Sequence, residues 1–268
     1  MTGKNTAGFT LLELTVVISS IALMLAILMP ALVAARSEAR EALCRSNLRQ
    51  IVIANTGYST ENNGYYVPAA SDIDSSFGGL HRWHGVRENQ NKPFEPEKGP
   101  LVKYLRDGKV KECPAFKDYF RGDWNQSFER GCGGYGYNME YLGSRLWESG
   151  LHYTKIYTST TNSSEVSRPS RTLMFADSAF YQNDKYLIEY SFAQPRYHIF
   201  GGTVFTGSNP VPSIHFRHKG SANIGWADGH ISSFAISDTY HDNEDYLDYS
   251  RMELGWFEPL DNSLFDLK

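Results

Sequence analysis

From Leu14 to Ala35 the chain runs 22 residues without a charge. At about 1.5 Å rise per residue a helix over that stretch is roughly 33 Å long, the hydrocarbon thickness of a bilayer. The segment can therefore span a membrane. Just ahead of it stands Glu13, the fifth residue of an apolar run that opens at Phe9. A carboxylate in lipid costs several kcal/mol unless a partner neutralises it, so Glu13 asks for a cation.

A short polar leader ending in Gly8, then Phe9-Thr10-Leu11-Leu12-Glu13 and the apolar helix, resembles the N-terminus of type IV prepilins and type II secretion pseudopilins. The resemblance implies that a membrane-embedded prepilin peptidase cuts after Gly8 and methylates Phe9. It also supplies a partner for Glu13, the Phe9 α-amine of an adjacent subunit in a filament. Other pilin or pseudopilin subunits, an inner-membrane assembly platform and membrane lipid are the implied partners. Implied too is a single-pass inner-membrane protein with its N-terminus cytoplasmic and its head periplasmic, or extracellular after assembly. Two other readings compete. Val33-Ala34-Ala35 before Arg36 fits a signal-peptide cut, although the apolar run exceeds the usual 7–15 residues. A simple uncleaved anchor explains the length but not Gly8-Phe9 or Glu13. The positive-inside rule opposes the implied orientation, since Arg36, Arg40, Arg45 and Arg49 follow the span and only Lys4 and the terminal amine precede it. Long domains translocate largely regardless of charge, and the family orientation is kept.

Beyond the span Ala35, Ala39, Ala42, Leu43, Leu48, Ile51 and Val52 recur at helical spacing, with Arg and Glu on the other faces. This predicts a long helix over 9–56, with its first part (14–35) transmembrane and its end set at Gly57 or, more firmly, at Asn62-Asn63-Gly64. Pro30 lacks the N–H for an i→i−4 bond and should loosen the helix locally.

Residues 57–268 are enough for one sizeable core. Strands are expected at Thr172 to Ala176, Tyr186 to Phe192, Ile224 to Ala227 and Ile231 to Ile236. Polar surface loops are expected at Ser71 to Pro100, holding His81, Trp83 and His84, and at Thr158 to Arg171. The end, 238–268, carries nine acids against Arg251 and Lys268 but also apolar residues, and reads as a docked acidic segment. A net charge of −4 gives no nucleic-acid surface. The fold class that follows is α+β, a long N-terminal helix packed on a head with an antiparallel sheet.

In the head, His218, then nine residues, then Asp228-Gly229 lie around two apolar runs, and Asp-Gly signals a tight hairpin turn. This is similar to a prepilin-like group with a C-terminal His, nine residues, Asp-Gly pattern. Cys44-Arg45-Ser46-Asn47-Leu48-Arg49-Gln50, Cys113-Pro114, Tyr135-Gly136-Tyr137-Asn138 and Asp177 match other pieces of that group. His215, His218, Asp228 and His230 are suitable metal ligands or an acid–base set, but the favoured role is structural, with His218 bonding the Asp228 side chain or the turn backbone. Asp238, Asp242, Glu244 and Asp245 offer hard oxygens for calcium without EF-hand spacing. No Gly-x-Ser-x-Gly, His-Glu-x-x-His or phosphate loop occurs. No enzymatic activity, metal or cofactor is therefore expected. Three cysteines, Cys44, Cys113 and Cys132, suggest one disulfide and one free thiol, with all three pairings open. The alternative to a filament subunit is a membrane-tethered periplasmic enzyme or metal-binding protein with its site at His218 and Asp228.

Overall fold

The structure is a computed structural model, described here for residues 9–74, 78–116, 129–182, 186–207, 209–239 and 249–268. It divides into two compact units, Met1–Arg40 and Glu41–Lys268. The helix α1 (Leu11–Glu61) belongs to both.

Over 14–35, within the first unit, α1 carries no charge on any side. Leu14, Val16, Val17 and Val33, which point to four different sides, are all exposed, and an 18-residue window has mean hydropathy 2.6 with nothing buried. A helix apolar all round needs an apolar surrounding. It is long and apolar enough to cross a membrane. The helical assignment passes through Pro30 without a break.

Within the second unit the character of α1 changes. Cys44, Leu48, Ile51, Val52 and Asn55 are buried along one face, while Glu41 and Arg45 pair at 2.8 Å on the polar side. The helix continues through Gly57, beyond the expected 56, and stops where Asn63 and Gly64 take positive φ of 55° and 87°. Only there does the backbone need the left-handed conformation that Asn and Gly tolerate.

The head elements follow in order. A small hairpin, β1 (His81–Arg82) and β2 (Gly85–Val86), precedes β3 (Tyr135–Tyr137), the one-turn helix α2 (Tyr153–Ile156) and β4 (Leu173–Asp177). Next come the hairpins β5 (Phe180–Gln182) with β6 (Tyr186–Ile188), and β7 (His198–Phe200) with β8 (Thr203–Phe205). The chain then forms β9 (Ile214–His215), β10 (Ser221–Trp226), β11 (Ile231–Ala235) and β12 (Leu254–Gly255). The central sheet runs β11-β10-β4-β3 and is antiparallel throughout. The fold is α+β, as expected from the sequence.

This sheet packs on the second half of α1. A Cβ on Gly225 in β10 would come within 2.6 Å of Val52 Cγ2 and 3.3 Å of Leu48 Cγ, so a glycine there lets strand and helix approach closely. Asp228-Gly229 forms the β10–β11 turn. Gly229 N–H donates to Trp226 O at 2.9 Å, Trp226 N–H donates to His230 O at 3.1 Å, and Gly229 has φ 96°. That is a three-residue hairpin loop with its left-handed position filled by glycine.

The described part of the C-terminal segment is docked. Leu254, Trp256, Phe257, Leu264, Phe265 and Leu267 are buried, and β12 pairs with β9. Asp242, Glu244 and Asp245 of the calcium expectation lie outside the described residues, and Asp238 pairs with Arg196 at 2.8 Å.

Part of the Ser71 to Pro100 stretch, expected as a surface loop, is packed into the core. Trp83 is fully buried, and Arg82, His84 and Arg87 are buried with it. Arg82 forms a buried ion pair with Glu129 at 2.8 Å, a partner 47 residues away that no local pattern reveals. His81 is exposed, on Asp72 at 3.0 Å, and so is the run 88–93.

Candidate functional site

At the N-terminal end of α1, Thr10 and Glu13 close a reciprocal cap. Thr10 N–H and Oγ1 both donate to Glu13 Oε2, at 2.9 and 2.8 Å, and Glu13 N–H donates to Thr10 Oγ1 at 3.2 Å. This is a capping box, which satisfies donors that a helix end leaves orphaned. Glu13 thus holds its own helix terminus together one residue after Phe9-Thr10. The leader and Gly8 lie outside the described residues.

In the head, the sheet and helix bring four side chains from four sequence-distant places to one point. Cys44 comes from α1, Cys113 from the Cys-Pro loop, Asp177 from the end of β4, and His218 from the turn before β10. One donor atom from each lies within 4.8 Å of the others, and all four residues are buried. Cys44 Sγ–H donates to Asp177 Oδ1 at 3.1 Å. His218 Nε2 stands 3.2 Å from Asp177 Oδ2 and 3.7 Å from Cys113 Sγ. Arg217 donates to Asp177 Oδ1 at 2.6 Å and to the carbonyl oxygens of Gly134 and Ser178. Asn223 adds its N–H to Asp177 Oδ2 at 2.8 Å and its Nδ2 to Cys44 Sγ at 3.5 Å. Tyr135 OH reaches Cys44 Sγ at 3.5 Å.

These neighbours set the ionisation. Burial alone would raise the Asp177 pKa, but Arg217 and then His218 hold it well below the usual carboxylate range. Burial pulls His218 down, yet the bond to Asp177, and then Cys113, push it up to about 9. The hydrogen bond from Cys44 lowers Cys113 to about 4 against burial, with Arg217 and His218 assisting. Cys44 goes the other way, raised chiefly by burial. Asp177 and Cys113 are thus pushed toward their anionic forms and His218 toward its cation.

The sequence-expected partnership of His218 with the Asp228 side chain is not the one the fold makes. Of the nine residues between them, six are the strand β10, and at about 3.4 Å per residue that strand carries Asp228 roughly 20 Å from His218. Asp228 lies at the opposite, exposed turn with His230, 2.6 Å away. His218 closes its own turn instead, exchanging backbone hydrogen bonds with Ser221 at 3.0 Å each way across Lys219-Gly220. His215 is buried against Arg217. The expected disulfide is likewise not formed, and all three cysteines are free and buried. Cys132 sits apart beside Glu189, its thiol pushed up by burial.

The motif residues around the cluster are scaffold. Asn47 Nδ2 donates to Glu112 O at 3.3 Å, tethering the Cys113 loop to α1. Asn138 Nδ2 donates to Leu173 O and Phe265 O, at 2.9 and 2.8 Å. It thereby ties β3, β4 and the C-terminal segment together.

A second buried polar group escaped sequence reasoning. His84 Nε2 lies 2.7 Å from Ser191 Oγ, and Ser191 bonds Glu129. A hydrolytic triad would place the carboxylate on the histidine and the hydroxyl at the surface. Here Glu129 holds Arg82 and Ser191, and Ser191 is fully buried. The arrangement braces the core.

Against known proteins, the chain is 40% identical over 62 residues to the type IV wide pilus major component PilA4 of Thermus thermophilus. That match covers 23% of this chain and 47% of that protein, about half its length. No family model matches the chain, and no solved structure matches it.

Proposed function

We propose that this chain is a pilin-like structural subunit that assembles through its N-terminal helix into a type II secretion pseudopilus or type IV pilus-like filament. The observation that carries the reading is the 18-residue helical window of mean hydropathy 2.6 with nothing buried, inside the charge-free run that follows Glu13. Such a surface requires a lipid bilayer before assembly and other apolar helices after it. The similarity to a pilus component supports the same conclusion. Prepilin peptidase cuts after Gly8 and methylates Phe9, and the new amine of one subunit neutralises Glu13 of the next. The span sits in the inner membrane with its N-terminus cytoplasmic and the head periplasmic, and the head is carried outward on assembly by an inner-membrane platform. The work is assembly, not catalysis.

The test is Glu13→Ala in cells that make the filament. The variant should be processed and membrane-inserted like the parent yet be lost from sheared filaments probed with an antibody to the head. Full incorporation of the variant would refute the role of Glu13. A parent chain that fractionates as a soluble periplasmic protein would refute the filament reading.

A further inference from the structure

We propose that Cys44, Cys113, Asp177 and His218 form a closed zinc(II) site in the head. Two thiols, an imidazole and a carboxylate are a borderline-soft donor set, matched to zinc and poorly matched to calcium or magnesium, which take oxygen. Zinc bound tetrahedrally at about 2.3 Å from sulfur and about 2.0–2.2 Å from nitrogen and oxygen puts sulfur and nitrogen about 3.6 Å apart and nitrogen and oxygen about 3.4 Å apart. The cluster shows 3.7 Å between Cys113 Sγ and His218 Nε2, and 3.2 Å between His218 Nε2 and Asp177 Oδ2. Four protein donors within 4.8 Å, all buried, leave no position for water or substrate, which marks a structural rather than a catalytic centre.

The surroundings are those of metal ligands. Arg217 holds Oδ1 of Asp177, on the Cys44 side, and Oδ2 faces His218. Asn223 and Tyr135 aim an N–H and an O–H at Cys44 Sγ, the outer contacts that orient a thiolate. Charge balances too, since two thiolates and Asp177 are offset by a divalent ion and Arg217. The ion would join α1 to β4, the Cys113 loop and the turn before β10, which is a reason for the cysteines to be buried and unpaired.

The chain should be purified full-length in detergent, dialysed against excess chelator-treated buffer, and its metal content and free thiols measured. One zinc per chain is expected, with both Cys44 and Cys113 unreactive until a strong chelator or denaturant is added. Cys113→Ser should lose the stoichiometric zinc. Asn223→Ala, which leaves all four ligands in place, should retain zinc with an affinity about 10–100-fold weaker. Removal of zinc should lower the melting temperature, and added zinc should restore it. A metal-free chain with a Cys44–Cys113 disulfide would overturn the proposal, as would a metal-free chain with Cys44 and Cys113 both free and reactive. Zinc retained at full stoichiometry in Cys113→Ser would overturn the assignment of ligands.

Discussion

Asp177 is the residue on which the buried side of the head turns. Its carboxylate is fully buried and met by Arg217, His218, Cys44 and the Asn223 N–H. Replacement by Asn leaves the Arg217 guanidinium buried without its counter-charge. Losing one partner of a buried ion pair costs about 3–5 kcal/mol, and urea titration followed by tryptophan fluorescence should show a loss of that size. Asp228→Ala, at an exposed turn with one local cap to His230, should cost about 1 kcal/mol or less by the same assay. An equal loss in both variants would restore the His218–Asp228 partnership read from the sequence. Cys44, Cys113, Asp177 and His218 could each be singled out by motif. Their convergence could not, because it depends on how α1 and two loops meet the sheet, and spacing along a chain carries no such distance.

At the scale of elements, two glycines with different jobs separate steric from conformational cost. Gly225→Ala drives a methyl into Val52 and Leu48 at the helix–sheet contact, and overpacking of that kind costs about 1–3 kcal/mol. Gly229→Ala meets nothing within 4 Å but must hold φ 96°, which costs about 1–2 kcal/mol through the backbone alone. A second substitution distinguishes them in stability measurements. Val52→Ala should partly rescue the first and leave the second unchanged. The loop cap at Asn162 adds a pH dependence. The Arg145 hydrogen bond holds Glu165 below its ordinary 4.5, and Glu165 also accepts from Asn162 N–H at 2.7 Å. Because the folded value is the lower one, its stabilisation is present above pH 4.5 and disappears as pH falls through the folded value. The melting-temperature difference between the parent and Glu165→Gln should therefore be present near neutrality and vanish in acid. The β10–β11 hairpin was legible because alternation and Asp-Gly are local signals. The burial of Trp83 and His84 within the Ser71 to Pro100 stretch was not legible because it rests on Arg82 reaching Glu129, and the strands there are only two residues long.

For the whole molecule, the division of labour along α1 is the organising fact. Residues up to Arg40 belong to one unit and residues from Glu41 to another, and along the same helix a charge-free, exposed run over 14–35 gives way to a segment with one buried face. This much could be read from the charge-free run and the helical spacing after it. The head's cysteine chemistry could not, since three cysteines in a chain say how many thiols exist but not which are neighbours. The central claim is that the first unit is a pilin-type assembly helix that begins at Phe9. Mass spectrometry of the N-terminal peptide from the membrane-purified protein tests this most directly. A chain starting at Phe9 and carrying an added N-methyl group is expected, whereas an intact Met1 or a start at Arg36 would contradict a pilin-type start.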